Sequence, residues 1–107
     1  WGTGRPLRQQ LYVDDLCRII PMLLEKHNTR IPIIVAPNEN LSISEMCRIL
    51  EKNIDKEVDF RFNGTLDGQF RKDGSNDQLK KLIGDFEFTS FSEGVKKTYN
   101  SYIKTLD

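Results

Sequence analysis

Residues 31–36 (IPIIVA) place apolar side chains one after another, closed off by Arg30 and Pro37. A β-strand sends successive side chains to opposite faces, so such a run reads as a strand buried on both sides, as in parallel sheets. A strand of that kind needs neighbouring strands and covering layers. Pro32 pushes its first residue toward an edge. Two other stretches read as strands: residues 8–13 (RQQLYV), and residues 58–62 (VDFRF), whose alternation suits a half-exposed strand. Three short strands are too few to close a sheet around a full core. The order strand, helix, strand, helix, strand, loop, helix, helix defines an α/β chain of 107 residues with one small domain.

The helices carry clearer marks. Leu16, Ile19, Ile20, Leu23 and Leu24 fall on one helical face, with Asp14 or Asp15 as the N-cap. Pro21 interrupts this helix, but the apolar period continues on both sides of it. Ser42 and Glu45 form a capping box ahead of a stripe of Ile43, Met46, Cys47 and Leu50. Ser75 or Asn76 caps a short helix with Leu79, Leu82 and Ile83, which Gly84 ends. Ser90 and Glu93 form a second capping box, and Phe91, Val95, Tyr99, Tyr102 and Leu106 face inward on the last helix. Residues 63–74 (NGTLDGQFRKDG) are loop, with Asn-Gly and Asp-Gly turns.

Charge is balanced, 16 Lys and Arg against 16 Asp and Glu, which gives no field to draw nucleic acid or an anionic membrane. No apolar run approaches the roughly 20 residues that span a bilayer. The opening Trp-Gly-Thr-Gly has no leader pattern and reads as a cut from a longer chain. Cys17 and Cys47 read as two reduced core thiols. With the single His27 they give no zinc spacing, and His27 reads as a surface residue near a helix end.

Gly2 and Gly4 invite comparison with phosphate-cradling loops. A dinucleotide fingerprint follows a strand and opens a helix, and a P-loop carries Lys-Ser/Thr after its last glycine. Neither context is present, so both glycines read as turn residues. The side chains around them are the better candidates. Trp1 offers a flat face for a base or sugar, or is core. Arg8 can grip a diphosphate with its planar fork of donors, or is a solvated charge. In the second loop Asp67 can accept from a sugar hydroxyl and Arg71 and Lys72 can meet a phosphate, or the loop is a polar surface turn. None of Tyr12, Tyr99 and Tyr102 is followed by Lys four residues on, so the Tyr-x-x-x-Lys pair of short-chain dehydrogenases is missing. No Ser-His-Asp or Cys-His set exists either. The chain shows no catalytic, cofactor-binding or metal-binding residue of its own.

The stretches WGTGRPLRQQLYVDDLCRII, DGQFRKDGSNDQL and FEFTSFSEGVKKTY resemble the C-terminal part of the GDP-L-fucose synthase family, extended short-chain dehydrogenase/reductases of the NAD-dependent epimerase/dehydratase group. The opening motif, W-G-S/T-G-x-x-x-R-x-F-x-x-x-x-D, is shared in part with related epimerases and dehydratases. The D-G-Q-F-x-K-x-x-S-N stretch is more particular. The resemblance covers essentially the whole chain. It implies a single substrate-binding region over residues 1–107: a small α/β domain plus a late strand, at 31–36, of a Rossmann sheet absent from this chain. It implies that Trp1, Arg8, Asp67 and Lys72 line a GDP-sugar site. NADP(H) and the catalytic Ser, Tyr and Lys would lie outside this chain, in a cytoplasmic, homodimeric enzyme. That enzyme would epimerise and reduce GDP-4-keto-6-deoxy-D-mannose to GDP-L-fucose. The alternatives are the substrate region of another nucleotide-sugar epimerase or dehydratase, or a non-catalytic nucleotide-sugar-binding module. The sequence departs from the family pattern at Gln10, where an aromatic is usual, at Pro21, and at Asp73 and Gly74, where small or hydroxyl residues are usual.

Overall fold

A computed structural model describes residues 1–106. The elements are β1 (Leu7–Arg8), α1 (Val13–Lys26), β2 (Leu41–Ser42), α2 (Ile43–Asn53), α3 (Asp77–Ile83) and α4 (Phe91–Thr105). β1 and β2 pair antiparallel, Leu7 opposite Ser42 and Arg8 opposite Leu41. The helices pack as two pairs, α1 with α3 and α2 with α4. The radius of gyration is 16.4 Å, with extents of 47 × 39 × 20 Å. A compact domain of this length has about 13 Å, so the molecule is a flattened, open arrangement.

The helical expectations hold in position and differ in detail. α1 runs unbroken through Pro21. Its N-cap is Tyr12, not Asp14 or Asp15, and both aspartates sit inside the first turn. There they complement the helix dipole, but Asp15 is 1% exposed and does more. Its carboxylate accepts from the Thr89 amide (2.7 Å) and hydroxyl (2.8 Å) and from Arg18 (2.8 Å), tying α1 to the segment that leads into α4. Ile19 is fully buried against α3, where Leu79 is the buried counterpart, while Ile20 and Leu24 are exposed. The inward face is therefore narrower than the sequence period suggests.

The Ser42–Glu45 capping box closes in both directions: the Glu45 amide donates to Ser42 Oγ at 3.1 Å and the Ser42 amide to Glu45 Oε2 at 2.7 Å. At α4 only one arm forms. Ser90 Oγ accepts from the Glu93 amide, whereas the Glu93 carboxylate pairs with Lys97. Glu39 Oε1 accepts from the Phe91 amide at 2.7 Å, an added bond at the first turn. Tyr102 and Leu106, expected inward, are exposed. Asn76 is the N-cap residue of α3, yet its side chain donates to the Ala36 carbonyl and Asn38 Oδ1 rather than capping. Gly84, at φ +77°, ends that helix as expected. Both cysteines are free thiols, but Cys17 is exposed, not core. His27 is the C-cap of α1, and its Nε2 lies 2.7 Å from the Ile31 carbonyl.

The strand expectations fare worse. Of residues 8–13, only Arg8 belongs to a strand. Residues 31–36 and 58–62 form no ladder. The cause is one missing condition: a strand exists through hydrogen bonds to another strand, and among the described residues no segment pairs with either run. Ile31 and Ile34 are left exposed, while Ala36 at the end of the run is buried. Gly74 packs beside Ile34 and Ala36.

Candidate functional site

Residues 1–9 and 63–74, mostly without regular structure, are fastened along their length. The Gly2 amide donates to Asn63 Oδ1 (2.8 Å) and the Gly2 carbonyl accepts from the Gly64 amide (2.9 Å). The Thr3 amide and hydroxyl donate to the two carboxylate oxygens of Asp67, the hydroxyl at 2.7 Å. The Leu7 amide donates to the Phe70 carbonyl at 2.8 Å. Further along, the Gly4 and Pro6 carbonyls accept from Ser44 and Ile43 at the start of α2. These bonds do for two irregular segments what a ladder does for strands: they satisfy backbone groups and fix register.

Two glycines make the close approach possible. Gly2 (φ +77°) and Gly4 (φ +76°) occupy backbone conformations that side chains disfavour. A Cβ at Gly2 would run into the Asp67 carboxylate, and one at Gly4 would stand 2.6 Å from the Phe62 ring. They are turn glycines, as their context indicates. The Gly2 and Thr3 amides, which a phosphate cradle would need, are taken by Asn63 and Asp67, so this segment does not fit a dinucleotide phosphate.

All four sequence candidates lie on this pair of segments. Trp1 is 99% exposed. It is no part of the core of this chain, and its ring is a flat surface beside Gly2. Arg8 is half-buried, its guanidinium steered by three backbone carbonyls: Leu7 (2.6 Å), Gln69 (3.0 Å) and Phe70 (3.5 Å). Among the described residues it meets no carboxylate. Of its five donors, the Nε–H and part of Nη2 remain free, on a cation whose charge nothing nearby neutralises. Asp67 is exposed but fully engaged by Thr3, whose hydroxyl and amide hold the Asp67 carboxyl below the ordinary aspartate value. Lys72 is exposed and lines a cavity of about 300 Å³ with Gln9, Ile34, Ala36 and Gly74. No hydrogen bond or ion pair among the described residues joins any of the four to another. Arg71 is paired with Asp73 through Nη2 at 2.6 Å, so Lys72 is the freer cation of the two.

Several residues of this junction escape a reading of the sequence alone: Thr3, Asn63 and Gln9. Asn63 is visible only as half of an Asn-Gly turn. Thr3 and Gln9 carry no signal beyond adjacency to better candidates. A separate apolar hollow of about 370 Å³ lies between α2 and α4, lined by Tyr12, Leu50, Phe91, Val95 and Tyr99, with Gln10 among its walls. It contains none of the four candidates. Gln10 stands there in place of the aromatic that the family pattern expects.

Two helix pairs around a small antiparallel ribbon, with a Trp-Gly-Thr-Gly segment bolted to a glycine-rich loop, make up the C-terminal part of the extended short-chain dehydrogenase/reductase fold. The chain is similar to GDP-L-fucose synthase. It shares 30% identity over 109 residues with the Dictyostelium discoideum protein of that name, covering 99% of this chain and 34% of the relative. The crystal structure of a GDP-L-fucose synthetase from Naegleria fowleri bound to NADP matches 98% of this chain and 34% of its own, with TM-score 0.90 and 26% identity. A UDP-glucuronic acid 4-epimerase from Bacillus cereus, in complex with NAD and a fluorinated UDP-sugar, covers 100% of this chain with TM-score 0.79 and 26% identity. The chain spans about a third of the length of the curated relatives it matches. No protein-family model matches it. Among the described residues no helix is long and apolar enough to cross a membrane.

Proposed function

We propose that this chain is the GDP-sugar-binding portion of a GDP-L-fucose synthase. In the whole enzyme, NADPH-dependent 3,5-epimerisation and 4-reduction of GDP-4-keto-6-deoxy-D-mannose would yield GDP-L-fucose. Residues beyond this chain would hold NADP and perform the chemistry, in a cytoplasmic homodimer. Within this chain, Arg8 and Lys72 neutralise the diphosphate and Trp1 bounds the base or sugar. Asp67 orients a hydroxyl only by sharing its carboxylate with Thr3. Gripping the substrate by its nucleotide lets remote binding energy position the sugar for reaction elsewhere.

The observation that carries this reading is Arg8. Its guanidinium is fixed by three carbonyls, has no carboxylate partner and keeps free donors. A preorganised, unpaired cation suits the diphosphate of a nucleotide-sugar. Trp1 is the sole tryptophan, so its fluorescence reports on ligand. Titration with GDP is expected to perturb it saturably, and Arg8→Ala to weaken binding by about tenfold or more, the loss of one charge-assisted contact. Unchanged affinity in Arg8→Ala refutes the role of Arg8. The likeness to the UDP-glucuronic acid 4-epimerase supports a second reading, a UDP-sugar site. Competition between GDP and UDP separates the two.

A further inference from the structure

The geometry points to Gln9 as the positioning residue of this site, a side-chain clasp that sets Lys72 for the diphosphate. The inference rests on the GDP-sugar reading above. Gln9 follows Arg8, and the two side chains grip different parts of the fold: Arg8 holds the Leu7, Gln69 and Phe70 carbonyls, while Gln9 holds Pro37 and Gly74. The Gln9 amide behaves as an inserted peptide unit. Its Oε1 accepts from the Gly74 amide at 2.7 Å, and its Nε2 donates to the Pro37 carbonyl at 2.8 Å and, more weakly, to the Gly74 carbonyl at 3.4 Å. One side chain thus bridges segments 65 and 28 residues away in sequence, neither of which has a strand partner.

The stretch between the Arg8 and Gln9 attachments is short. Arg8 fixes the chain at Gln69 and Phe70 and Gln9 fixes it again at Gly74, so Arg71, Lys72 and Asp73 span two anchors. Gln9 and Lys72 line the same cavity of about 300 Å³. Without the second anchor Lys72 would ride on a glycine-bounded loop, and ordering it on binding would cost backbone entropy. With the anchor in place that cost is met on folding. Gln9 has no charge and offers nothing directly to a base, so its effect falls on the phosphate-dependent part of affinity.

The test compares GDP with guanosine on the full chain, unsubstituted and as Gln9→Leu, a replacement close in size with none of the three hydrogen bonds. The expected result is about tenfold weaker GDP binding in Gln9→Leu with guanosine changed less than about twofold. Equal losses for both ligands mean a general packing role and overturn the inference, as does unaltered GDP binding. If the unsubstituted chain fails to bind GDP, the function reading falls and the inference with it; a failure confined to the variant comparison sinks the inference alone. Amide exchange on the unsubstituted chain gives a check that needs no variant. The Gly74 amide, held by Gln9, is expected to exchange about tenfold or more slower than that of Gly68, an exposed amide of the same loop with no acceptor among the described residues. Equal rates overturn the clasp.

Discussion

The glycine-rich loop at 63–74 and the apolar run at 31–36 invert their sequence signals. The loop has turn chemistry, yet it is fastened at Asn63, Gly64, Asp67, Gln69, Phe70 and Gly74. The run has strand chemistry, yet it has no ladder; Ile31 is exposed and Ile34 only half-covered. Polar side chains reach backbone groups from any direction, so a few of them order an irregular loop. Apolar side chains have no directional partner and order a segment only when other surfaces bury them. The apolar run is held at its two ends by polar side chains: His27 Nε2 lies 2.7 Å from the Ile31 carbonyl at its start, and Asn76 takes the Ala36 carbonyl and Gln9 that of Pro37 at its end.

The largest expected effect strikes the fastened region. Gly4→Ala adds a Cβ in a left-handed conformation and against the Phe62 ring. It is expected to cost about 2–3 kcal/mol in urea unfolding; a loss under about 1 kcal/mol would mean that the two segments are not rigidly joined. Next comes Asp15, which tests whether a buried side chain serving backbone groups matters as much elsewhere in the fold. Asp15→Ala leaves the Thr89 amide and hydroxyl without their acceptor and is expected to cost about 2 kcal/mol. Burial pushes the Asp15 carboxyl up, but the bonds from Arg18 and Thr89 outweigh this and hold it below the ordinary aspartate value. Its stabilisation is therefore complete above the unfolded pKa of about 4 and is lost as pH falls through the lower folded value. The gap between Asp15→Ala and the unsubstituted chain is expected to shrink in that acid window, and a gap constant with pH would deny the carboxylate its role. Ile34→Thr, in the exposed run, is expected to change stability by no more than about 0.5 kcal/mol. A loss of 2 kcal/mol would mean that the run is buried after all.

For the candidate site, the sequence proposes residues by chemical type, and the fold supplies their hydrogen-bond partners. Trp1, Arg8, Asp67 and Lys72 stand out by chemical type and by family likeness. Only the fold reveals that Asp67 is engaged by Thr3, that Arg8 is steered by carbonyls, and that Gln9 rather than a charged residue closes the loop. Asp15 shows the same limit. Its place at the head of a helix reads as an N-cap, and the carboxylate is in fact buried and bonded to Thr89, 74 residues away.

Sequence alone determined the four helices, the double-armed cap at Ser42, the stop at Gly84 and the turn role of Gly2 and Gly4. Each depends on bonds within a few residues or on a single residue's backbone preference. Tertiary structure alone decided which apolar runs become strands and which face of α1 is buried. It also decided which polar side chains hold the loops. Those outcomes depend on partners distant in sequence, and a strand or a buried face exists only where such a partner arrives.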